Sequence, residues 1–213
     1  MTTQILGNID TVVDLRNIST LREYEPNSVI VFENDNSNQI YFIQSGRVEV
    51  CKLSPGGKEI WFAELGAGCM FGGVSALTGH KRFSTVTSLE QTQVAILKRD
   101  DLVGLMRLNP EFSVYLLENL AERVENIACI AIDVMSKTIA QRIRSELCRL
   151  MKPCPYRPSV LTINPLPRSS ILARRLNTDR ENISREISSL VKKGVLEKTK
   201  TELLVLDKSY LEI

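Results

Sequence analysis

Arg180, Glu181, Ser184 and Arg185 lie within one short stretch whose apolar positions, Ile183, Ile187, Leu190 and Val191, recur with helical spacing. A helix there buries the apolar positions and turns the four polar side chains outward. A guanidinium can bond O6 and N7 of guanine together, a glutamate accepts from the N4 amino group of cytosine, and a serine serves either base. Each good bidentate contact contributes ~1–3 kcal/mol of discrimination, so these residue types suit the reading of G·C pairs. The plainer alternative is a solvated helix face with Glu181 paired to Arg185 at i,i+4.

The surrounding residues decide how that helix is held. Pro167-Arg168-Ser169-Ser170 precedes a helical pattern over Ile171–Leu176, with Ser169 or Ser170 expected as N-cap. Asn177 suits the left-handed conformation that ends such a helix. Thr178-Asp179-Arg180-Glu181 fits the S/T-x-x-E capping box that would start the next one, which runs to Gly194. Two short helices joined by a tight turn form a helix-turn-helix, whose second helix enters the major groove. The charge agrees: residues 138–213 hold 15 Lys/Arg against 8 Asp/Glu (+7), while residues 1–137 hold 12 against 17 (−5), and the two sum to the net +2. Only the C-terminal third therefore has the electrostatic character that phosphates attract.

Upstream the period changes. Between Ser28 and Lys98, the segments SVIVF, QIYFIQ, RVEVCKL, KEIWFAEL and QVAILK read as short strands, and Ser54-Pro55-Gly56-Gly57 supplies a hairpin turn. Strands at this spacing predict a small barrel or sandwich. Asp10–Thr20 is either a short helix or a loop. Asp100–Leu108 predicts a short helix, and Asn109-Pro110 opens a longer one as N-cap and first position. From there to Lys137 no Gly or Pro interrupts, and Leu117, Leu120, Val124, Ile127, Ala131 and Val134 recur at intervals of 3, 4, 3, 4 and 3. That heptad seam is best buried against a second copy of itself, with an ordinary core-facing helix as the alternative. A further helix over Thr138–Met151 is followed by KPCPYRPSVLTINPLP, whose prolines predict a stiff, irregular connector. The expected domains are residues 1–108, 109–137 and 138–213, in an α+β architecture.

Composition excludes several classes. A hydrophobic content of 43% supports packed cores. There is no run of about 18 apolar residues, so no membrane contact is expected. MTTQILGNIDTVVD lacks the basic flank and apolar stretch of a secretory signal. Cys51, Cys69, Cys129, Cys148 and Cys154 form no CxxC pair, which predicts reduced, mostly buried thiols in a cytoplasmic protein without bound metal. One histidine, His80, and no nucleophile–base pairing, GxGxxG or P-loop argue against an enzyme and against haem.

Asp179-Arg180-Glu181-Asn182-Ile183-Ser184-Arg185 resembles the R-E-x-[V/I]-x-R recognition signature of the Crp/Fnr family of bacterial transcription regulators. Arg142-Ile143, Leu203-Leu204-Val205-Leu206-Asp207 and Tyr41-Phe42-Ile43-Gln44-Ser45-Gly46-Arg47-Val48 are similar to further motifs of that family, in the same order. The resemblance covers about Ser28 to the C-terminus. It implies a cyclic-nucleotide-binding-like β-roll, a dimerisation helix and a winged helix-turn-helix, with double-stranded DNA bearing an inverted repeat, a second copy and RNA polymerase as partners. Arg180 and Arg185 would contact guanines and Glu181 cytosine, while Asn182 and Arg168 could hold phosphates, which positions without reading sequence.

The same resemblance implies an anion-binding cassette, F-G-E, a short helix, then R-[S/T]-A. Here it reads Phe71-Gly72-Gly73 and Arg82-Phe83-Ser84. Backbone N–H groups at a glycine turn favour an anion, and Arg82 with Ser84 would complete the pairing. Gly73 stands where cyclic-AMP-binding members carry the ribose-binding acid, and Ile127-Ala128 where they carry a Thr-Ser pair. Each buried group left unsatisfied costs ~1–3 kcal/mol, which weighs against cyclic AMP. The nitrogen-control branch, which senses 2-oxoglutarate, also lacks that acid. Arg82 with Arg123 on the long helix would suit such a small dianion, with an interhelical salt bridge as the alternative role of Arg123. A regulator with no effector, and a ligand-binding module without DNA contact, complete the possibilities.

Overall fold

The computed structural model describes residues 18–212, and the chain forms two compact units that part between Glu125 and Asn126. The possible element at Asp10–Thr20 lies largely outside the described residues; only its end is seen, where a strand begins at Thr20.

The first unit contains β1 (Thr20–Tyr24), β2 (Val29–Val31), β3 (Gln39–Ser45), β4 (Arg47–Leu53), β5 (Glu59–Gly66), β6 (Met70–Phe71), α1 (Gly73–Thr78), β7 (Thr85–Ser88), β8 (Thr92–Lys98), α2 (Arg99–Leu108) and the start of α3 (Pro110–Ser136). Its strands form two antiparallel four-stranded sheets, ordered β1-β8-β3-β6 and β2-β7-β4-β5. Burial of β3 on both faces explains its unbroken apolar run. Tyr41 and Ile43 join Val48, Leu65, Phe71, Val86 and Val94 between the sheets, whereas Ile40 and Phe42 pack with Leu102 of α2 and Phe112, Tyr115 and Leu116 of α3. The expected hairpin is present: Ser54 and Gly57 close its turn, pairing Leu53 with Glu59. Gly46, at the β3–β4 turn, has φ +85°, and a Cβ there would meet the Gln91 carbonyl oxygen at 2.4 Å. Only glycine satisfies both constraints.

Asn109 caps α3 as expected, its Oδ1 accepting from the Phe112 N–H at 3.0 Å. The helix buries Phe112, Tyr115, Leu116 and Asn119, and leaves Leu117, Leu120, Val124, Ile127, Ala131 and Val134 exposed within this single chain.

The second unit adds α4 (Ile139–Leu150), β9 (Lys152–Cys154), β10 (Arg157–Ile163), α5 (Ser169–Arg175), α6 (Arg180–Lys192), β11 (Leu196–Lys198) and β12 (Leu203–Val205). Thr138 and Gln141 make a reciprocal capping box at the start of α4. The irregular connector expected after α4 is corrected: β9 and β10 occupy it, pairing with each other and with the closing hairpin in a sheet ordered β11-β12-β10-β9. Proline is tolerated at Pro153 because it lies on the outermost strand. One core collects Ile143 and Leu147 of α4, Leu172 and Ala173 of α5, Ile183, Ile187 and Leu190 of α6, and Leu203 and Val205 of β12.

The wing formed by β11 and β12 is tied to β10 by Glu202, only 7% exposed. Its carboxylate accepts from the Tyr156 hydroxyl, from Thr162 Oγ1 at 2.8 Å and from Asn164 Nδ2 at 3.3 Å. These donors, Tyr156 foremost, hold its pKa below the ordinary 4.5. A depressed carboxylate stabilises fully above the ordinary value, and that contribution is lost as pH falls through the lower, folded value. The urea midpoint should therefore drop as pH falls below the ordinary carboxylate range, and Glu202→Gln should flatten that part of the curve. A variant with the same pH profile as the parent would refute the assignment.

Candidate nucleic-acid interface and effector site

The helix pair α5–α6 is built by its turn. Asn177 takes the left-handed conformation expected of it, at φ 48°. The Thr178 N–H then reaches the Ala173 carbonyl at 2.9 Å and the Asn177 N–H that of Arg174 at 3.1 Å, closing a Schellman motif. The same motif ends α6, where Gly194 (φ 71°) and Val195 return bonds to Val191 and Leu190. Two expected caps are corrected. Arg168, not Ser169 or Ser170, is the N-cap of α5, and Asp179, not Thr178, is that of α6; neither makes a side-chain cap bond. The Schellman closure uses Thr178 in the turn, which displaces the helix start by one residue. Its hydroxyl instead accepts from Asn182 Nδ2 at 3.0 Å.

With Ile183, Ile187 and Leu190 buried, Arg180, Glu181, Ser184 and Arg185 stand together on the exposed edge of α6. The Glu181–Arg185 pair is not formed, and among the described residues no ion pair or side-chain hydrogen bond engages these four. Arg168 is exposed and Asn182 half-buried. The edge thus offers two guanidinium groups, a carboxylate and a hydroxyl to an incoming surface.

The cassette residues are placed differently. Gly72, with φ 81°, begins α1, and Gly73 is its first residue. Arg82 is 2% exposed and donates to the carbonyl oxygens of Gly72 at 2.7 Å and Gln39 at 2.6 Å and to Ser37 Oγ at 2.6 Å. A Cβ on Gly72 would lie 2.6 Å from the same guanidinium, so the close approach requires glycine. Arg82 Nε is buried without a partner. Phe83 is exposed, 5.5 Å from the Phe62 ring and 4.1 Å from Lys52 Nζ, while Ser84 is half-buried just before β7. Arg123 donates to the Met70 carbonyl, and the Tyr115 hydroxyl to that of Gly68 at 2.9 Å. Arg82 and Arg123 therefore grip carbonyls two residues apart, at the two ends of the Met70-Phe71-Gly72 segment. Neither has a carboxylate at ion-pairing distance among the described residues, and burial lowers both guanidinium pKa values. Ile127 and Ala128 are exposed and belong to the second unit.

Sequence reasoning did not find Ser37, Gln39, Lys52 or Phe62. Phe62 on β5 meets Phe83, which precedes β7, across the intervening β4, a juxtaposition that only the sheet order creates. Among the described residues no three His, Cys, Asp or Glu side chains are placed to hold a metal ion, and no helix is long and apolar enough to cross a membrane.

Residues 21–109 match the cyclic nucleotide-binding domain family. The chain is 29% identical to the cyclic AMP receptor protein of Thermus thermophilus over 82% of this chain and 78% of that one. It is 24% identical to the global nitrogen regulator of a Nostoc species over 85% and 83%. Among solved structures, a CooA variant from Carboxydothermus hydrogenoformans superposes with a TM-score of 0.81 at 20% identity, covering 100% of this chain and 96% of that one. The catabolite activator protein of Thermus thermophilus does so with a TM-score of 0.53 at 26% identity, covering 96% and 92%. The chain is thus similar to Crp/Fnr-type regulators over most of its length, and the two relatives named above are described as a cyclic AMP receptor protein and a global nitrogen regulator.

The residues present are a poor match to a cyclic nucleotide. Gly73 offers a ribose no acid, and Arg82 is already hydrogen-bonded within its own chain. Arg82→Leu should remove the guanidinium donor from the Gly72 and Gln39 carbonyls and from Ser37 Oγ, with Gly72 keeping only the Ala76 N–H, and lower stability by roughly 1–3 kcal/mol, the removed charge offsetting part of the loss. Urea unfolding tests this; an unchanged midpoint would mean that Arg82 is not a strut.

Proposed function

We propose that the protein is a dimeric, sequence-specific DNA-binding transcription regulator controlled by a small anionic effector. The single observation that carries this reading is the exposed edge of α6, where Arg180, Glu181, Ser184 and Arg185 stand free of internal partners above a buried apolar stripe. In this reading residues 138–213 bind DNA, 109–137 form the dimerisation element and 1–108 carry the sensor. Arg180 and Arg185 read guanines and Glu181 a cytosine, while Arg168 and Asn182 contact phosphates. A second copy seats its α3 on the exposed seam Leu117, Leu120, Val124, Ile127, Ala131 and Val134. The site on DNA is then an inverted repeat whose halves are ~34 Å apart. RNA polymerase is the further partner.

The effector is a small dianion drawn to Arg82, which is buried, and Arg123, which is half-buried; among the described residues neither makes a salt bridge. It acts by population shift, binding one arrangement of the dimer better than another. The nitrogen regulator among the relatives supports this branch, and the cyclic AMP receptor protein supports a nucleotide instead. The satisfied hydrogen bonds of Arg82 favour a second reading, a regulator needing no effector. Calorimetry with 2-oxoglutarate and with cyclic AMP decides: heat from neither leaves the effector-free reading.

For the DNA-binding reading, Arg180→Ala should lose ~1–3 kcal/mol of discrimination at one base pair of a duplex selected from a random pool. Arg168→Ala should weaken selected and random duplexes alike and reduce the salt dependence. Equal losses on both duplexes for Arg180→Ala would sink the role given to Arg180.

A further inference from the structure

The segment after β12 makes contacts that the reading above does not use. Leu206 and Asp207 donate backbone bonds to the Val195 carbonyl, which lays the chain beside the end of α6. Asp207 Oδ1 then accepts from Ser209 Oγ at 2.6 Å and from the Tyr210 N–H at 3.3 Å, turning the chain back. Leu211, 1% exposed, enters the core shared by Ile143, Leu147 and Ile187.

This turn sets the Tyr210 ring against two cations. The Arg144 guanidinium of α4 lies 5.2 Å from its centroid, and Lys193, at the end of α6, donates to its hydroxyl at 2.6 Å. Arg144 Nε also bonds Glu186 Oε1 at 2.6 Å, with both side chains mostly shielded from water. Glu186 directly follows Arg185, so whatever fixes Glu186 fixes the backbone that presents a base-reading side chain.

We infer that Tyr210 is a positioning residue that sets the pose of α6 through Arg144 and Glu186; the inference rests on the DNA-binding reading of α6. A ring over a guanidinium excludes water and attracts the cation, which strengthens a pair that solvent would otherwise screen. Base reading needs the side chain placed to a fraction of an ångström, whereas phosphate attraction tolerates displacement. Loosening this clamp therefore weakens selectivity more than attachment.

The test uses the full chain and a duplex that the parent protein selects from a randomised pool, with a shuffled duplex as reference. Tyr210→Leu, which fills the apolar volume without a π face, should lower the ratio of selected to shuffled affinity about tenfold. Tyr210→Phe keeps the ring and should stay within about twofold of the parent. Arg144→Ala combined with Tyr210→Leu should be no worse than Arg144→Ala alone, because the two act in one chain of contacts. An unchanged ratio for Tyr210→Leu, or equal losses on both duplexes, overturns the inference. Should Tyr210→Leu lack a cooperative thermal transition, Arg144→Lys keeps the charge beside Glu186 without the flat stacking; a fallen ratio supports the clamp and an unchanged one overturns it. A parent protein that selects no sequence would instead defeat the DNA-binding reading, so the two failures are distinct.

Discussion

The stripe of Ile183, Ile187 and Leu190 on α6 fixes everything that the second unit presents. Once these side chains enter the core with Ile143, Leu147 and Leu172, the rotation of α6 is set. Helical geometry then dictates that Arg180, Glu181, Ser184 and Arg185 point away. The outward edge is therefore specified by apolar burial on the opposite side. Hydrophobic burial is strong but non-directional, so it chooses the face without defining the final placement. Directional contacts supply the remainder: two Schellman closures at the helix ends and the Arg144–Glu186 pair along its length.

The first unit turns on a different constraint, buried positive charge. Taking a guanidinium out of water is costly unless acceptors replace the lost hydration. Arg82 finds three and Arg123 one, mostly main-chain carbonyls. Carbonyl dipoles satisfy the N–H groups but carry no net negative charge, and the carboxylates that act on the two guanidinium groups, Asp35 and Glu122, stand beyond salt-bridge distance. An arrangement of this kind stands as a strut without an anion, and in the function proposed above it also draws one. That dual character is why the same residues support two readings of regulation.

The legible parts of the chain were those where a local rule acts alone. The α6 edge, the Asn109 cap, the Asn177 turn and the 54–57 hairpin each depend on a few consecutive residues, and each is found as expected. Elements built by distant pairing were not. β1 is exposed along most of its length, and β6 is only two residues long, so neither carries an apolar period to detect. β9 and β10 were hidden by the proline-rich stretch around them, where no local rule reveals that Pro153 falls on an edge strand. At the cassette, Arg82 is an anion-binding candidate through the resemblance of Arg82-Phe83-Ser84 to a family motif. Besides Gly72, its partners come from the 37–39 segment, more than 40 residues away, which a local motif cannot announce.

The long helix shows how an incomplete match between sequence and a single chain can itself be informative. α3 satisfies its first turns internally through Phe112, Tyr115 and Leu116, yet Val124 and Ile127, on the same helix, remain 61% and 62% exposed. Fully burying a side chain of this size is worth ≈ 1.5–3 kcal/mol, and isolated exposed apolar residues are ordinary. What is not ordinary is their order: six positions keep a strict 3–4 alternation, which solvent has no means of rewarding. An apolar row with the period of a coiled coil is matched best by another helix of the same period. In the dimer proposed above, a second α3 meets that requirement by symmetry, since each copy then supplies to the other the surface that it lacks.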